Sequence, residues 1–451
     1  PHRGAGPGPA PRSPARAGGV MASAAITLGA LVRRVLRTAG VGAVYGAPFA
    51  GLPVVPAPAP EAALLAAAHQ LVHGRAAATV DAGGVVRIGA PAAVPSVVTG
   101  AGDLVAAAPA VAAAARPGGT PVALRLDLDP AAPTPAVAVP CPPAPERWAD
   151  VGDGVVAALA AARRPVVLAG PGVVTEAAVP GLHAVAAAGQ VGVLNTWGAK
   201  GVFDWRSRHH LATAGLQARD FVLGGLADAD VIVATGLDER EVRPESWRLA
   251  PVVEVPPGAL DRLAERWSRP ARDIPMPPLR TALAAVTQQG WRSTAAPLAP
   301  SRVTLAYGAV FGAGGLVSAA PGVAGYWVAR TFATSVPGSV VVVPEDPALA
   351  VACAAVARLR DPARPVLAVV DEATEAAAAV RSVALAQGAP VPVQVWRPDG
   401  EALDAEALAA WLEEAAHADE PVTGTLATDP SQLTRMVEAA GEVTAWGGLG
   451  A

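Results

Sequence analysis

Cysteine is scarce. Cys141 and Cys353 are the two thiols of the chain and lie far apart in sequence. Two such residues cannot build a disulfide framework or a zinc site, so a reducing cytoplasm fits best. Aromatic residues make up 4% of the sequence, so packing must rest on small side chains and close contact between elements. The ten tryptophans are scattered and give no stacking platform for nucleic acid. Neither charge sign dominates: 34 Lys and Arg against 38 Asp and Glu leave a net charge of −4. That balance excludes a basic stripe for nucleic acid and an acidic tail for a basic partner. Long apolar runs are missing too. The stretch 104–115 is Ala-rich and falls short of the ~18–20 residues a membrane span needs, so no membrane partner is expected. Residues 1–20 hold no apolar core of a secretory signal and are read as disordered, with Met21 as a start. Asparagine occurs once, as Asn195.

What is present is strand–helix alternation. The 451 residues are 52% hydrophobic, much of it Ala and Val, enough for several cores. Between Arg163 and Glu241, three short apolar runs (166–169, 191–194 and 231–235) each end at a Gly- or Asn-bearing loop. Helix-length segments separate them, the pattern of a parallel sheet covered on both faces. Before this stretch, the apolar spacing of Leu28, Leu31, Val32, Val35 and Leu36 predicts a helix that ends at Gly40. A strand over 41–45, a helix over 61–72, short strands at 79–80 and 85–88, a helix over 104–115 and a strand over 121–128 follow. After it come strands at 340–343, 365–370 and 392–396, with helices over 347–359, 372–387 and 403–416. Pro- and Ala-rich stretches separate three such groups. The expected division is 1–20 disordered, 21–130 first domain, 131–147 linker, 148–290 central domain, 291–302 linker and 303–451 last domain. The fold class is α/β, with three Rossmann-like domains and mostly parallel sheets.

The residues of the middle stretch resemble those of a family. Arg163-Arg-Pro-Val-Val-Leu-Ala-Gly-Pro-Gly172, Asn195-Thr-Trp-Gly-Ala-Lys-Gly201, Ala214-Gly-Leu-Gln217 and Ala229-Asp-Val-Ile-Val-Ala-Thr-Gly-Leu-Asp-Glu-Arg240 are similar to the central domain of the thiamine diphosphate-dependent enzymes related to acetolactate synthase. The flanks resemble it less. Val44-Tyr-Gly-Ala-Pro48 looks like the family's first strand and glycine-proline turn. Asp361-Pro-Ala-Arg-Pro-Val-Leu-Ala-Val-Val370 looks like the strand leading to the diphosphate site. The resemblance implies pyrimidine-binding, central and diphosphate-binding domains, and thiamine diphosphate with Mg²⁺ as cofactors. It also implies C–C lyase or carboligase action on a small 2-oxo acid. A homodimer or homotetramer is implied as well, because in this family the cofactor lies between the first domain of one subunit and the last of its neighbour.

By the same resemblance Glu61, at the start of its helix, takes the place of the glutamate that promotes thiazolium deprotonation. Its other reading is a carboxylate serving the helix dipole. Gly46 and Pro48 fall on the cofactor side. The family's metal site uses Gly-Asp-Gly and a later Asn-Asn. Gly152-Asp-Gly154 opens the helix at the start of the central domain, and an Asn pair is ruled out. Asp371 and Asp399, each just past a predicted strand, stand in the expected places, either as Mg²⁺ ligands or as loop aspartates. Around Pro91–Pro95 and Gly100–Asp103, where the family carries a glycine-proline-glycine stretch, the match fails. FAD is a further candidate at Gly170-Pro-Gly172 and Gly236-Leu-Asp238, at strand ends where such sheets bind ligands. His69 and His73, spaced i, i+4, are a metal pair or a polar helix face, and the latter is expected. His209-His210 is read as an exposed loop and Lys200 as a residue positioning its loop. The alternative to an enzyme is a non-catalytic paralogue that acts as a binding or regulatory protein, through a nucleotide site in the central domain.

Overall fold

The computed structural model of the chain describes residues 25–89, 94–116, 119–140 and 151–449. The expectations for residues 1–20, Met21, Pro91–Ala93, Cys141 and the boundary near Trp148 lie outside the described residues.

The chain is α/β, with mostly parallel sheets. Residues 44–126 form a six-stranded mixed sheet, 165–254 a five-stranded parallel sheet and 316–426 a second five-stranded parallel sheet. In the central sheet the order is His210–Ala214, Gly192–Thr196, Pro165–Ala169, Val231–Thr235, Val252–Glu254. In the last it is Val340–Val342, Leu316–Ala319, Val366–Val370, Val393–Trp396, Thr423–Leu426. Both orders reverse direction once. The crevice lies at Ala169/Thr235 in the central sheet and at Ala319/Val370 in the last, and such reversals are where open α/β sheets bind ligands.

The strands are buried on both faces, which explains their unbroken Val, Leu and Ala runs: every residue of Val231–Thr235 and Val366–Val370 is buried. The first helix, Leu28–Thr38, is amphipathic as its spacing predicts. Thr27 Oγ1 accepts from Ala30 N at 3.2 Å, the apolar face is buried, and Arg33, Arg34 and Arg37 are exposed. Pro53–Pro60 holds the short strand Val54–Pro56, which pairs in parallel with Val44–Gly46 at the sheet edge, a position that tolerates proline. The expected linker after 131 also carries structure, since Pro133–Thr134 pairs antiparallel with Ile26–Thr27.

Scarcity of aromatics shows in one contact above all. Helix Ala59–His73 packs on helix Pro347–Arg360, and their side chains share one core: Ala62, Leu65 and Ala68 with Ala350, Ala354 and Ala357. Small residues let the two backbones approach. Pro347–Arg360 is buried almost all round, from Ala348 to Arg358, rather than along one face, because a helix on each side and the sheet beneath enclose it. Cys353 lies in this core, and burial pushes its thiol pKa up.

A second shared core joins the central and last sheets. Its large members are Trp197, Tyr307, Tyr326, Trp327 and Phe332, all at most 1% exposed. An ion pair crosses it. Arg330 donates to Asp220 Oδ1 and Oδ2 at 2.9 and 2.8 Å, both side chains are fully buried, and Leu216 N and Gln217 N also donate to Asp220. Tyr326 Oη donates to Gln217 Oε1 at 2.9 Å. This pair ties the two sheets together, because breaking it would leave an uncompensated buried charge.

Candidate functional site

At the reversal of the last sheet, strand Leu316–Ala319 leads through Ala320-Pro-Gly322 into helix Val323–Thr331. The free N–H groups at this helix start, with the helix dipole behind them, form a ready anion site. The chain fills it with its own carboxylate. Asp371, one residue past Val366–Val370, accepts from Val323 N at 2.5 Å and Ala324 N at 2.9 Å. Gly322, at φ +117°, lets this happen, because a Cβ there would meet Asp371 Oδ2 at 2.1 Å. Burial raises the Asp371 pKa, and the two N–H donors oppose that rise.

Asp399 emerges from the neighbouring strand, Val393–Trp396, at the same sheet edge. Its side chain is exposed, and Arg397 Nε donates to it at 2.5 Å. Topology thus brings the two aspartates to one edge, while each has a protein partner of its own. Among the described residues no three His, Cys, Asp or Glu side chains are grouped so as to hold a metal ion. Asp153, of Gly152-Asp-Gly154, opens helix Asp153–Ala161 and pairs with Arg266.

The first-sheet residues stand apart from these. Gly46 ends strand Val44–Gly46 at φ +129°, where a Cβ would meet Val80 O at 2.0 Å, so glycine is required by the neighbouring strand. Pro48 is exposed in the following loop. Glu61 lies in the first turn of Ala59–His73, and its Oε2 is buried without a hydrogen-bond partner among the described residues. An orphaned carboxylate oxygen is a group awaiting a donor. His69 and His73 are not a polar face. His69 is 4% exposed and its Nδ1 lies 3.1 Å from Tyr45 Oη. Its ring meets that of His73 edge-on at 4.7 Å. Burial first, then neighbouring Arg360, lowers the His69 pKa to about 4, so the ring is neutral at neutral pH.

The reversal of the central sheet is filled as well. Gly172 N donates to Gly236 O at 2.8 Å and Gly170 N to Thr235 O at 2.9 Å. A Cβ on Gly170 would meet Gly236 O at 2.4 Å, and one on Gly172 would meet Gly236 Cα at 2.6 Å. These glycines allow two strand-end turns to touch. The helix that follows, Gly172–Thr175, is a single turn.

Sequence reasoning missed three charged groups. Glu241 reaches back to the Asn195–Lys200 loop, where Thr196 Oγ1 donates to its Oε2 at 2.5 Å and Gly198 N at 3.3 Å. Burial pushes its pKa to about 7 against these bonds. Arg330 and Asp220, 110 positions apart, carry no local signal. Lys200 is 8% exposed, and burial, then the charge of Arg330, lowers its pKa to about 7. His210 begins a strand instead of lying in an exposed loop. Burial, then the charges of Lys200 and Arg280, lowers its pKa to about 3.

A parallel central sheet reversed once, flanked by two further α/β sheets and coupled to the last through a buried ion pair, defines an α/β protein with mostly parallel sheets. Residues 153–256 match the family described as thiamine pyrophosphate enzyme, central domain. The match covers the central sheet, from helix Asp153–Ala161 to the residues just past Val252–Glu254. No curated protein matches the chain.

The residues at the last sheet's reversal do not fit a Mg²⁺–diphosphate group. The helix start that would receive the diphosphate already holds a carboxylate, and an incoming anion would meet like charge there. The pyrimidine side differs, since the orphaned Glu61 Oε2 has the character that the ring would need.

Proposed function

We propose that this chain is a non-catalytic binding or regulatory protein built on the thiamine diphosphate-enzyme framework. One observation carries the reading: Asp371 bonds the start of helix Val323–Thr331, the place where an anionic cofactor group would sit. Asp399, whose carboxylate is paired with Arg397, supports it. The chain would assemble as a homodimer or homotetramer.

A second reading, a lyase or carboligase acting on a 2-oxo acid, is favoured by Glu61 Oε2 alone. Calorimetric titration of thiamine diphosphate with Mg²⁺ separates the two. The proposal expects no saturable heat at millimolar cofactor. Saturable binding together with turnover of pyruvate, lost in Glu61→Gln while binding persists, would overturn it in favour of the enzyme.

A further inference from the structure

Lys200 is the one lysine among 34 lysines and arginines. The chain uses arginine at every other basic position, so an amine here is not a general preference. The two differ physically: arginine keeps its proton under all ordinary conditions, whereas a buried lysine can release it.

Lys200 lines a cleft of about 130 Å³ between strand His210–Ala214, helix Pro278–Trp291 and the end of helix Val323–Thr331. One water needs roughly 10–15 Å³, so the space suits a small organic molecule. Among the described residues its amine has no hydrogen-bond or ion-pair partner. Two more cations border the cleft. Arg330 is committed to Asp220 and to Thr213 O at 2.9 Å, but its Nε is buried without a partner. Arg280 donates to Trp205 O at 2.8 Å and to His210 O, with no carboxylate beside it. The Nε1 of Trp291 and Nδ1 of His210 are also buried and unpartnered. Asp220 is the one acid paired into this cluster, against three basic side chains. Beside Thr287 and Gln288, most of the remaining wall is apolar: Leu211, Leu283 and Phe332, with Trp205 and Trp291 edge to face at 6.2 Å between ring centres.

We infer that this cleft binds a small organic carboxylate with an apolar body, its carboxylate held by Lys200, with the buried charge of Arg330 behind it, and its body against Trp205 and Trp291. An unpartnered amine in a net positive, largely apolar hollow is what such a ligand requires. Proton linkage follows. Burial and Arg330, which is paired with Asp220, act on the amine, while Arg280 and Lys200 keep the neighbouring His210 neutral, so above pH 7 the empty site favours the uncharged amine. A bound carboxylate favours the ammonium, and binding above pH 7 therefore takes up a proton. The inference is independent of whether thiamine diphosphate binds elsewhere.

A single lysine makes the test direct. Protein labelled with ¹⁵N,¹³C-lysine gives one lysine side-chain signal, and benzoate and hexanoate serve as probes, with benzamide and inorganic phosphate as controls. The expected result is that benzoate or hexanoate shifts this signal saturably, with affinity falling roughly tenfold per pH unit above 7. Benzamide and phosphate should bind at least about tenfold more weakly. Lys200→Met, read by calorimetric titration of benzoate because it removes the labelled residue, and Ala284→Phe, which fills the cleft without touching the charges, should each lose binding while circular dichroism stays unchanged. A lysine signal unmoved by either carboxylate, equal binding of benzamide, or full affinity in Ala284→Phe would overturn the inference.

Discussion

Glu241 offers a quantitative test of the packing at the end of the central sheet. Its carboxyl is held against the Asn195–Lys200 loop by Thr196 and Gly198, and burial raises its pKa from 4.5 to about 7. The folded state therefore holds this proton between pH 4.5 and 7, while the unfolded chain has lost it. Fewer protons on the unfolded chain means that stability falls as pH rises through this window and levels off above about 7. Linkage with these two values gives a penalty of about 0.8 kcal/mol at pH 5 and about 3.3 kcal/mol at pH 8. Glu241→Gln keeps an acceptor for Thr196 and removes the charge. Relative to the native chain it should gain about 2.5 kcal/mol between pH 5 and pH 8 in urea unfolding. The comparison must be a difference between the two proteins, because buried His69 contributes an opposite slope at lower pH. An equal effect of Glu241→Gln at the two pH values would refute the reasoning.

Three further outcomes follow from the same packing. Arg330→Met leaves Asp220 buried with two N–H donors and no cation, and should cost about 3–5 kcal/mol in urea unfolding. Leu65→Ala, at a fully buried position of the core shared by Ala59–His73 and Pro347–Arg360, should cost about 2–5 kcal/mol by the same measurement. His69, with its folded pKa near 4 against an ordinary 6.5, contributes stability that is lost as pH falls from 6.5 towards 4. In His69→Gln the acid limb of the stability profile should flatten by about 3 kcal/mol.

The strands of the central sheet were legible because both faces are buried, so the apolar runs 166–169 and 231–235 announce them directly; the observed strands are Pro165–Ala169 and Val231–Thr235. Helix Leu28–Thr38 was legible from its period, with arginines on the outer face. Leu316–Ala319 and Val323–Thr331 were not. They are short and separated by Ala320-Pro-Gly322, and the helix is buried on every side from Ala324 to Thr331, which erases any amphipathic period. The position of Asp371 after its strand was readable, but its bond to a helix start 48 residues earlier depends on that unread helix. His69 misled because i, i+4 histidines look like a solvated or metal-binding face. The Ala-rich neighbour that buries His69 lies almost 300 residues away in sequence.

Asp371 occupies the helix start at the last sheet's reversal, where a diphosphate would otherwise bind. The most direct measurement follows the backbone amide signals of Val323 and Ala324 in ¹⁵N-labelled protein as inorganic diphosphate and Mg²⁺, then thiamine diphosphate and Mg²⁺, are added. Both amides are expected to stay unmoved at millimolar ligand, because each already donates to Asp371. Saturable shifts of these two amides in the native chain, with Asp371 released, would contradict it.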